Sequence, residues 1–263
     1  MKTAVIGAGA MGGALAEALL KYSGLAAGDI AVADPNPQAL LRFETSGASV
    51  TCENAAAAMG ADLLFVVVKP WLVEGVVKQL KDVIDYQKTT LVVIAAGVSS
   101  ADILRWMRKI DGSTPTLFLA IPNTAIAVGE SMTFLVPPKG EPAKRAMLLD
   151  LFNKMGSAML VDEAHLAAGT SIASCGIAYA LRYVRAATEG SVELGFPAKD
   201  ALKIVIQTVS GAVSLLAANG THPEEEIDKV TTPGGVSIRG LNAMEREGFT
   251  NAVIQGLKAG TGK

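Results

Sequence analysis

Several kinds of residue that mark large protein classes are scarce in this chain. There are two cysteines, Cys52 and Cys175, far apart in sequence. That excludes a disulfide framework and a cysteine metal site, and leaves both as reduced packing residues. Charged residues make up 18% of the sequence, the net charge is −2, and no basic cluster occurs. Nucleic acid is therefore not expected as a partner. Long hydrophobic runs are also missing: residues 112–129 are uncharged but interrupted by Pro115 and Pro122, and residues 166–181 are too short and too polar. No membrane-spanning helix and no membrane partner are expected from them. The first residues, Met1-Lys2-Thr3-Ala4-Val5-Ile6, lack the long apolar core of a secretion signal, so a cytoplasmic location is expected. Two histidines, His165 and His222, form no ligand cluster, and His222 before Pro223 reads as a helix cap; no metal site is expected.

What is abundant is apolar surface. Half of the 263 residues are hydrophobic, more than one soluble chain of this length needs to fill its own interior. Part of it is expected to lie between subunits. Up to residue 161 short apolar runs (2–6, 30–33, 49–51, 63–67, 91–95, 116–120, 132–136 and 159–160) alternate with helical stretches (11–22, 37–45, 71–80, 100–109 and 141–155). Such alternation predicts a mostly parallel sheet covered on both faces. From residue 162 the strand pattern stops, and helices are expected to residue 194 and over 198–218, 224–229, 237–247 and 250–258. The fold expected is an α/β Rossmann-type doubly wound sheet over residues 1–161, followed by an all-helical dimerisation domain over 162–263. Residues 173–194 and 198–218 are apolar around most of their circumference, as helices buried on nearly every side are.

Gly7-Ala8-Gly9-Ala10-Met11-Gly12 matches G-x-G-x-x-G, placed directly after a predicted strand and opening a predicted helix. There Gly7 permits a tight turn, Gly9 lets a pyrophosphate approach the backbone, and Gly12 lets the helix pack on the strand. Asp34, about twenty residues further on, stands where a carboxylate accepts from the ribose hydroxyls and repels a 2′-phosphate, which favours NADH. Asp34 has a second reading, as a cap for the helix near Pro37, with Asn36 left to reach a phosphate. NADPH is not signalled, the nearest arginine being Arg42. Three further loops end strands on the ligand side: Val68-Lys69-Pro70, Ala96-Gly97-Val98 and Pro122-Asn123-Thr124. Lys69 either orients the cofactor ribose or simply leaves the sheet for solvent. Trp71, Trp106, Tyr179 and Tyr183 read as packing residues.

Near the other end stands Thr231-Thr232-Pro233-Gly234-Gly235-Val236-Ser237. Proline donates no hydrogen bond, the glycines admit close approach, and Ser237 is placed to cap the helix that follows. A turn of this kind at a helix N-terminus offers N–H groups and a positive dipole end to a small anion such as a carboxylate.

Taken together these segments resemble the Δ1-pyrroline-5-carboxylate reductase family over essentially the whole chain, with Gly176, Ala178-Tyr179, His222-Pro223 and above all residues 230–238 adding to the match. The resemblance implies hydride transfer from NADPH or NADH to the C=N carbon of the substrate, giving L-proline. It implies a homodimer formed through the C-terminal helices, with dimers able to assemble further. Carried over by position, Ser237 is the residue to hydrogen-bond the ring nitrogen, and Val236, Ser237, Thr232 and Gly235 surround the substrate carboxylate. Glu163 matches an acidic position near the substrate, and Asn54 one that touches the cofactor ribose or adenine. The cofactor set implied is Gly7, Gly9, Ala10, Met11, Gly12, Asp34, Asn36, Asn54, Val68, Lys69, Pro70, Ala96, Gly97, Asn123 and Lys229. The chain departs from the family pattern in lacking an arginine before Pro122, in Ala125, in Lys229, and in Ala173-Ser174-Cys175-Gly176-Ile177 where the family reads Ser-Gly-Ser-Gly-Pro. Reduction of a related cyclic imine, or a non-catalytic dinucleotide-binding role, remain as alternatives.

Overall fold

The structure, a computed structural model, describes residues 1–261. By packing the chain divides into two compact units, Met1–Cys175 and a second that begins at Gly176. In the first unit eight strands form one sheet: β1 (Thr3–Ile6), β2 (Ile30–Ala33), β3 (Ser49–Thr51), β4 (Leu63–Val66), β5 (Thr90–Val93), β6 (Thr116–Ile121), β7 (Ser131–Val136) and β8 (Gly156–Leu160). Their order is β3-β2-β1-β4-β5-β6-β7-β8. Every pairing is parallel except β6 with β7, where Ile121 lies opposite Phe134. The first six strands thus carry the 3-2-1-4-5-6 order of a doubly wound sheet, with its switch point between β1 and β4.

The strands pair this way because their side chains are apolar on both faces, which only a sheet covered twice can bury. Val5 and Phe65 face a core built with Leu15 and Leu19 of α1 (Ala10–Tyr22) and with Leu148 and Phe152 of α6 (Pro142–Asn153). Their neighbours Ile6, Leu64 and Val66 face the opposite core, against Val77 and Leu80 of α4 (Val73–Leu80) and Ile103 of α5 (Ser100–Met107). Each fully buried side chain of this size contributes about 1.5–3 kcal/mol. Phe65 and Phe152 also meet edge to face, with centroids 6.1 Å apart. α2 (Pro37–Glu44) starts at a side-chain cap from Asn36, whose Oδ1 accepts from the Gln38 N–H.

Four details of this unit differ from expectation. A five-residue helix, α3 (Asn54–Ala58), stands where none was expected, being too short to show any periodicity. β8 begins at Gly156 rather than 159, and Trp71, expected to pack, is 76% exposed. Residues 162–175, expected to open the helical domain, fold with the sheet as a short 3-10 turn, α7 (Leu166–Gly169) and a π-helix over Thr170–Cys175. Gly169 packs so closely on Phe134 that a Cβ there would lie 2.7 Å from the ring.

The second unit is helical throughout its described residues: α8 (Gly176–Glu193), α9 (Ala198–Asn219), α10 (Pro223–Val230), α11 (Val236–Arg246) and α12 (Phe249–Ala259). α10 opens as its sequence predicts, with the His222 ring accepting from the Glu224 N–H, Pro223 in the first turn and three glutamates at the positive end of the dipole. α8 and α12 meet through the Tyr183 and Phe249 rings and a Tyr179 hydroxyl donated to the Gly256 carbonyl. Little is buried, however. α9 buries only Ala201 and Val205, and α8 buries none of its side chains. By length and composition Glu163–Glu193 and Ala198–Asn219 are apolar enough to cross a membrane. The windows read from sequence, 112–129 and 166–181, do not include these bounds, and length and composition alone give the same result for core helices of proteins that never enter a membrane.

β8 can begin where it does only because residue 156 is glycine: at φ 136° a Cβ would lie 2.1 Å from the Ser131 carbonyl oxygen. Gly156→Ala is expected to destabilise the protein by more than about 2 kcal/mol. Urea denaturation checks this, and an unchanged midpoint would show that the β7–β8 pair tolerates the methyl group.

Candidate functional site

A cavity of about 1000 Å³ opens at the C-terminal ends of β1 to β6, the side on which doubly wound sheets bind ligands. Its floor is the turn between β1 and α1. Gly7, at φ 99°, donates its N–H to the Ala33 carbonyl at 2.7 Å, and a Cβ on it would lie 2.3 Å from the Val67 carbonyl oxygen. A Cβ on Gly12 would lie 1.9 Å from the Gly7 carbonyl oxygen. At Gly9, by contrast, a Cβ would meet nothing within 4 Å, because that residue faces open space. Gly9 is also the N-cap of α1 and supplies no side chain to its first N–H groups. A bare loop, free amides and a helix dipole aimed into a cavity fit a pyrophosphate.

The Asp34 carboxylate is placed by two backbone donors, the Ala8 N–H at 2.7 Å and the Asn36 N–H at 2.9 Å. It therefore ties the end of β2 to the glycine loop, and the capping of α2 falls to Asn36 instead. Arg42 binds the Ala8 carbonyl at 3.3 Å and pairs with Glu17 at 2.8 Å.

The cavity wall gathers most of the cofactor residues expected from sequence: Gly7, Gly9, Ala10, Met11 and Gly12 from the loop, then Asp34, Asn54, Val68, Lys69, Pro70 and Ala96. Lys69 is exposed and lies on this wall. Asn36, Gly97, Asn123 and Lys229 are not on the wall. Asn123 is 5% exposed and committed to structure, its Oδ1 accepting from Ala125 N–H and its Nδ2 donating to the Ala173 carbonyl at 3.2 Å. Lys229 pairs with Glu226 at 2.7 Å on α10. Hydrogen bonds from Lys229, Thr221 and Asn219 hold the Glu226 carboxyl down at about 2. With its pKa lowered on folding, this cluster supports the start of α10 above the ordinary carboxylate range and is lost as pH falls through about 2.

Glu163 accepts from both the backbone N–H of Ser100, at 2.8 Å, and the Ser100 hydroxyl, so its carboxylate sits at the N-terminus of α5. Sequence reasoning missed Cys52, Glu53, Gln79, Thr170 and Ser174, all on the cavity wall. Gln79 accepts from the Asn54 amide at 3.1 Å. Thr170 and Ser174 reach the wall from the π-helix, which leaves no mark in sequence periodicity. Among the described residues no group of three or more His, Cys, Asp or Glu side chains could hold a metal.

In the second unit the turn before α11 has the backbone expected of an anion site. Gly234 is left-handed at φ 71°, Gly235 donates its N–H to the Thr232 carbonyl at 2.9 Å, and a Cβ on Gly235 would lie 2.5 Å from Thr232 Oγ1. The N-cap is Gly235 and not Ser237, because the helix begins one residue earlier than expected. The N–H groups of Val236 and Ser237 consequently belong to the first helical turn, where no carbonyl of that helix can accept them. Val236 is 76% exposed.

Comparison with known proteins agrees across both units. Residues 163–263 match the family model for pyrroline-5-carboxylate reductase dimerisation, and residues 2–97 the model for coenzyme F420-dependent NADP oxidoreductases. Pyrroline-5-carboxylate reductase 1 of Dictyostelium discoideum is 33% identical over 99% of this chain, which spans 48% of that relative's length. Pyrroline-5-carboxylate reductase 2 of the same organism is 30% identical over 97% of this chain and 89% of its own. The enzyme of Pisum sativum is 31% identical over 97% and 91%. Among solved structures, the pyrroline-5-carboxylate reductase of Coxiella burnetii superposes with a TM-score of 0.88 at 24% identity, covering 99% of this chain and 96% of that one.

Proposed function

This chain belongs to the pyrroline-5-carboxylate reductase family, and on that premise we propose that it reduces Δ1-pyrroline-5-carboxylate to L-proline. The observation that carries the reading is the pairing, in one chain, of a dinucleotide cavity on the sheet with a glycine turn whose helix amides are free for a carboxylate. When bound, the reduced nicotinamide supplies a hydride to the imine carbon. The chain's own part is to hold and orient. A protonated cyclic imine is already electrophilic, so positioning carries most of the catalysis. The amides of Val236 and Ser237 take the substrate carboxylate, with Thr232 and Gly235 shaping the turn. The Ser237 hydroxyl hydrogen-bonds the ring nitrogen, and Glu163 lends its charge to the substrate end of the site. Lys69 steadies the cofactor ribose, and Asp34 accepts from its adenosine hydroxyls, which favours NADH over NADPH.

The second unit pairs with that of another copy to form a homodimer. Support comes from the exposed apolar residues of α9, among them Leu202, Ile206, Val213 and Leu215, which one chain leaves in water. A solvent-facing set of this kind marks an interface.

Purified protein is expected to oxidise NADH or NADPH when given pyrroline-5-carboxylate and to yield proline by chromatography; turnover with neither cofactor would sink the assignment. Asp34→Ser keeps a small acceptor for the Ala8 N–H and removes the charge. It is expected to raise the NADPH-to-NADH ratio of kcat/KM more than about tenfold, the scale on which a charge clash discriminates, whereas an unchanged ratio would mean that Asp34 does not read the ribose. For the dimer, light scattering should give twice the chain mass, and Leu202→Glu combined with Ile206→Glu should halve it. A double variant that stays dimeric would place the interface elsewhere.

A further inference from the structure

The cavity has an end that the family's cofactor loop does not furnish. A dinucleotide bound across the switch point lays its adenosine toward β2, where Asp34 stands, and its nicotinamide toward β5 and β6. At that second end the wall is mainly apolar, formed by Ile94, Ala95, Ile121 and Pro122. The nicotinamide ring carries a primary amide, which in such surroundings needs a polar partner. Three hydroxyls reach this part of the wall: Thr124, Thr170 and Ser174. Thr124 is exposed, where water competes for it. Thr170 donates its proton to the Leu166 carbonyl at 2.7 Å. Ser174 is half-buried, and its hydroxyl makes no hydrogen bond among the described residues.

The backbone that carries Ser174 is fixed. Ala173, immediately before it, is 8% exposed, and its carbonyl accepts from the buried Asn123 amide at 3.2 Å. Asn123 is itself held by its own N–H, donated to Ser131 Oγ, and by its Oδ1, which accepts from Ala125 N–H. A π-helix, frequent at functional sites, therefore delivers one free hydroxyl to the cavity from a rigid support.

We propose that the Ser174 hydroxyl hydrogen-bonds the carboxamide of the nicotinamide ring and so fixes which face of the ring is presented. The proposal rests on the cofactor reading given above. Its test is binding, which does not depend on turnover. Isothermal titration of the full chain and of Ser174→Ala is made with NAD+ and two of its analogues. In 3-acetylpyridine adenine dinucleotide the carboxamide NH2 is replaced by methyl, and in thionicotinamide adenine dinucleotide its oxygen is replaced by sulfur. Ser174→Ala is expected to weaken NAD+ binding about five- to tenfold, the loss of one hydrogen bond. That penalty should shrink to less than about twofold with the analogue that lacks the bonded half of the amide. Cys175→Ala, one residue further along the same helix, is expected to leave all three affinities unchanged. An absent penalty, or an equal one for all three dinucleotides, overturns the proposal. Failure of the chain to turn over pyrroline-5-carboxylate while these affinities behave as expected would instead overturn the substrate assignment alone.

Discussion

The first unit depends on one close approach. At the C-terminal ends of β1 and β4 the backbone of Gly7 lies against the Val67 carbonyl, and Gly12 against the Gly7 carbonyl, with no room for a single carbon atom at either contact. Two missing side chains let α1 sit down on the sheet. With α1 seated, its apolar stripe of Leu15 and Leu19 closes one core, and its amide end opens into the cavity. Asp34 then secures the arrangement from the side, because the carboxylate that meets Ala8 N–H also terminates β2. Core, loop and ligand site thus share one geometric requirement. Any residue but glycine at those two positions breaks all three together.

What could be read from the amino acids alone follows from the reach of each signal. The central strands β1, β2, β4, β5 and β6 are buried on both faces along nearly their whole length and so are continuous apolar runs, visible in any window. The glycine fingerprint is also plain, because every one of its residues answers to a local backbone need. Features made by contact between distant segments are not visible in this way. α3 is too short to have a period, and the π-helix over Thr170–Cys175 is one residue out of step with the α pattern around it. Asn123 illustrates the limit best. Its position beside a ligand-side strand end suggested a cofactor contact, yet its amide turns inward to a carbonyl fifty residues away in sequence. The displaced cap at Gly235 has a similar origin, since two adjacent residues can both begin a helix and only the turn geometry chooses between them.

The helical unit obeys a different logic. Three hydroxyls of α8 and α9 are silenced inside their own helices, Thr188 donating to Val184, Ser191 to Ala187 and Thr208 to Ile204. Residues that look polar in sequence therefore present hydrocarbon to the outside, and the helices are more apolar in space than on paper. Two helical stretches also reach a membrane-like length and hydropathy.

Those uncovered helices also tie the durability of the molecule to its abundance. If α8 and α9 are completed only by a second copy, folding of this unit and encounter between chains are one equilibrium. Each tenfold dilution then removes about 1.4 kcal/mol from the paired state. Such a protein has no melting temperature of its own, only one for a given concentration, and a scarce copy unfolds under conditions that a plentiful one survives.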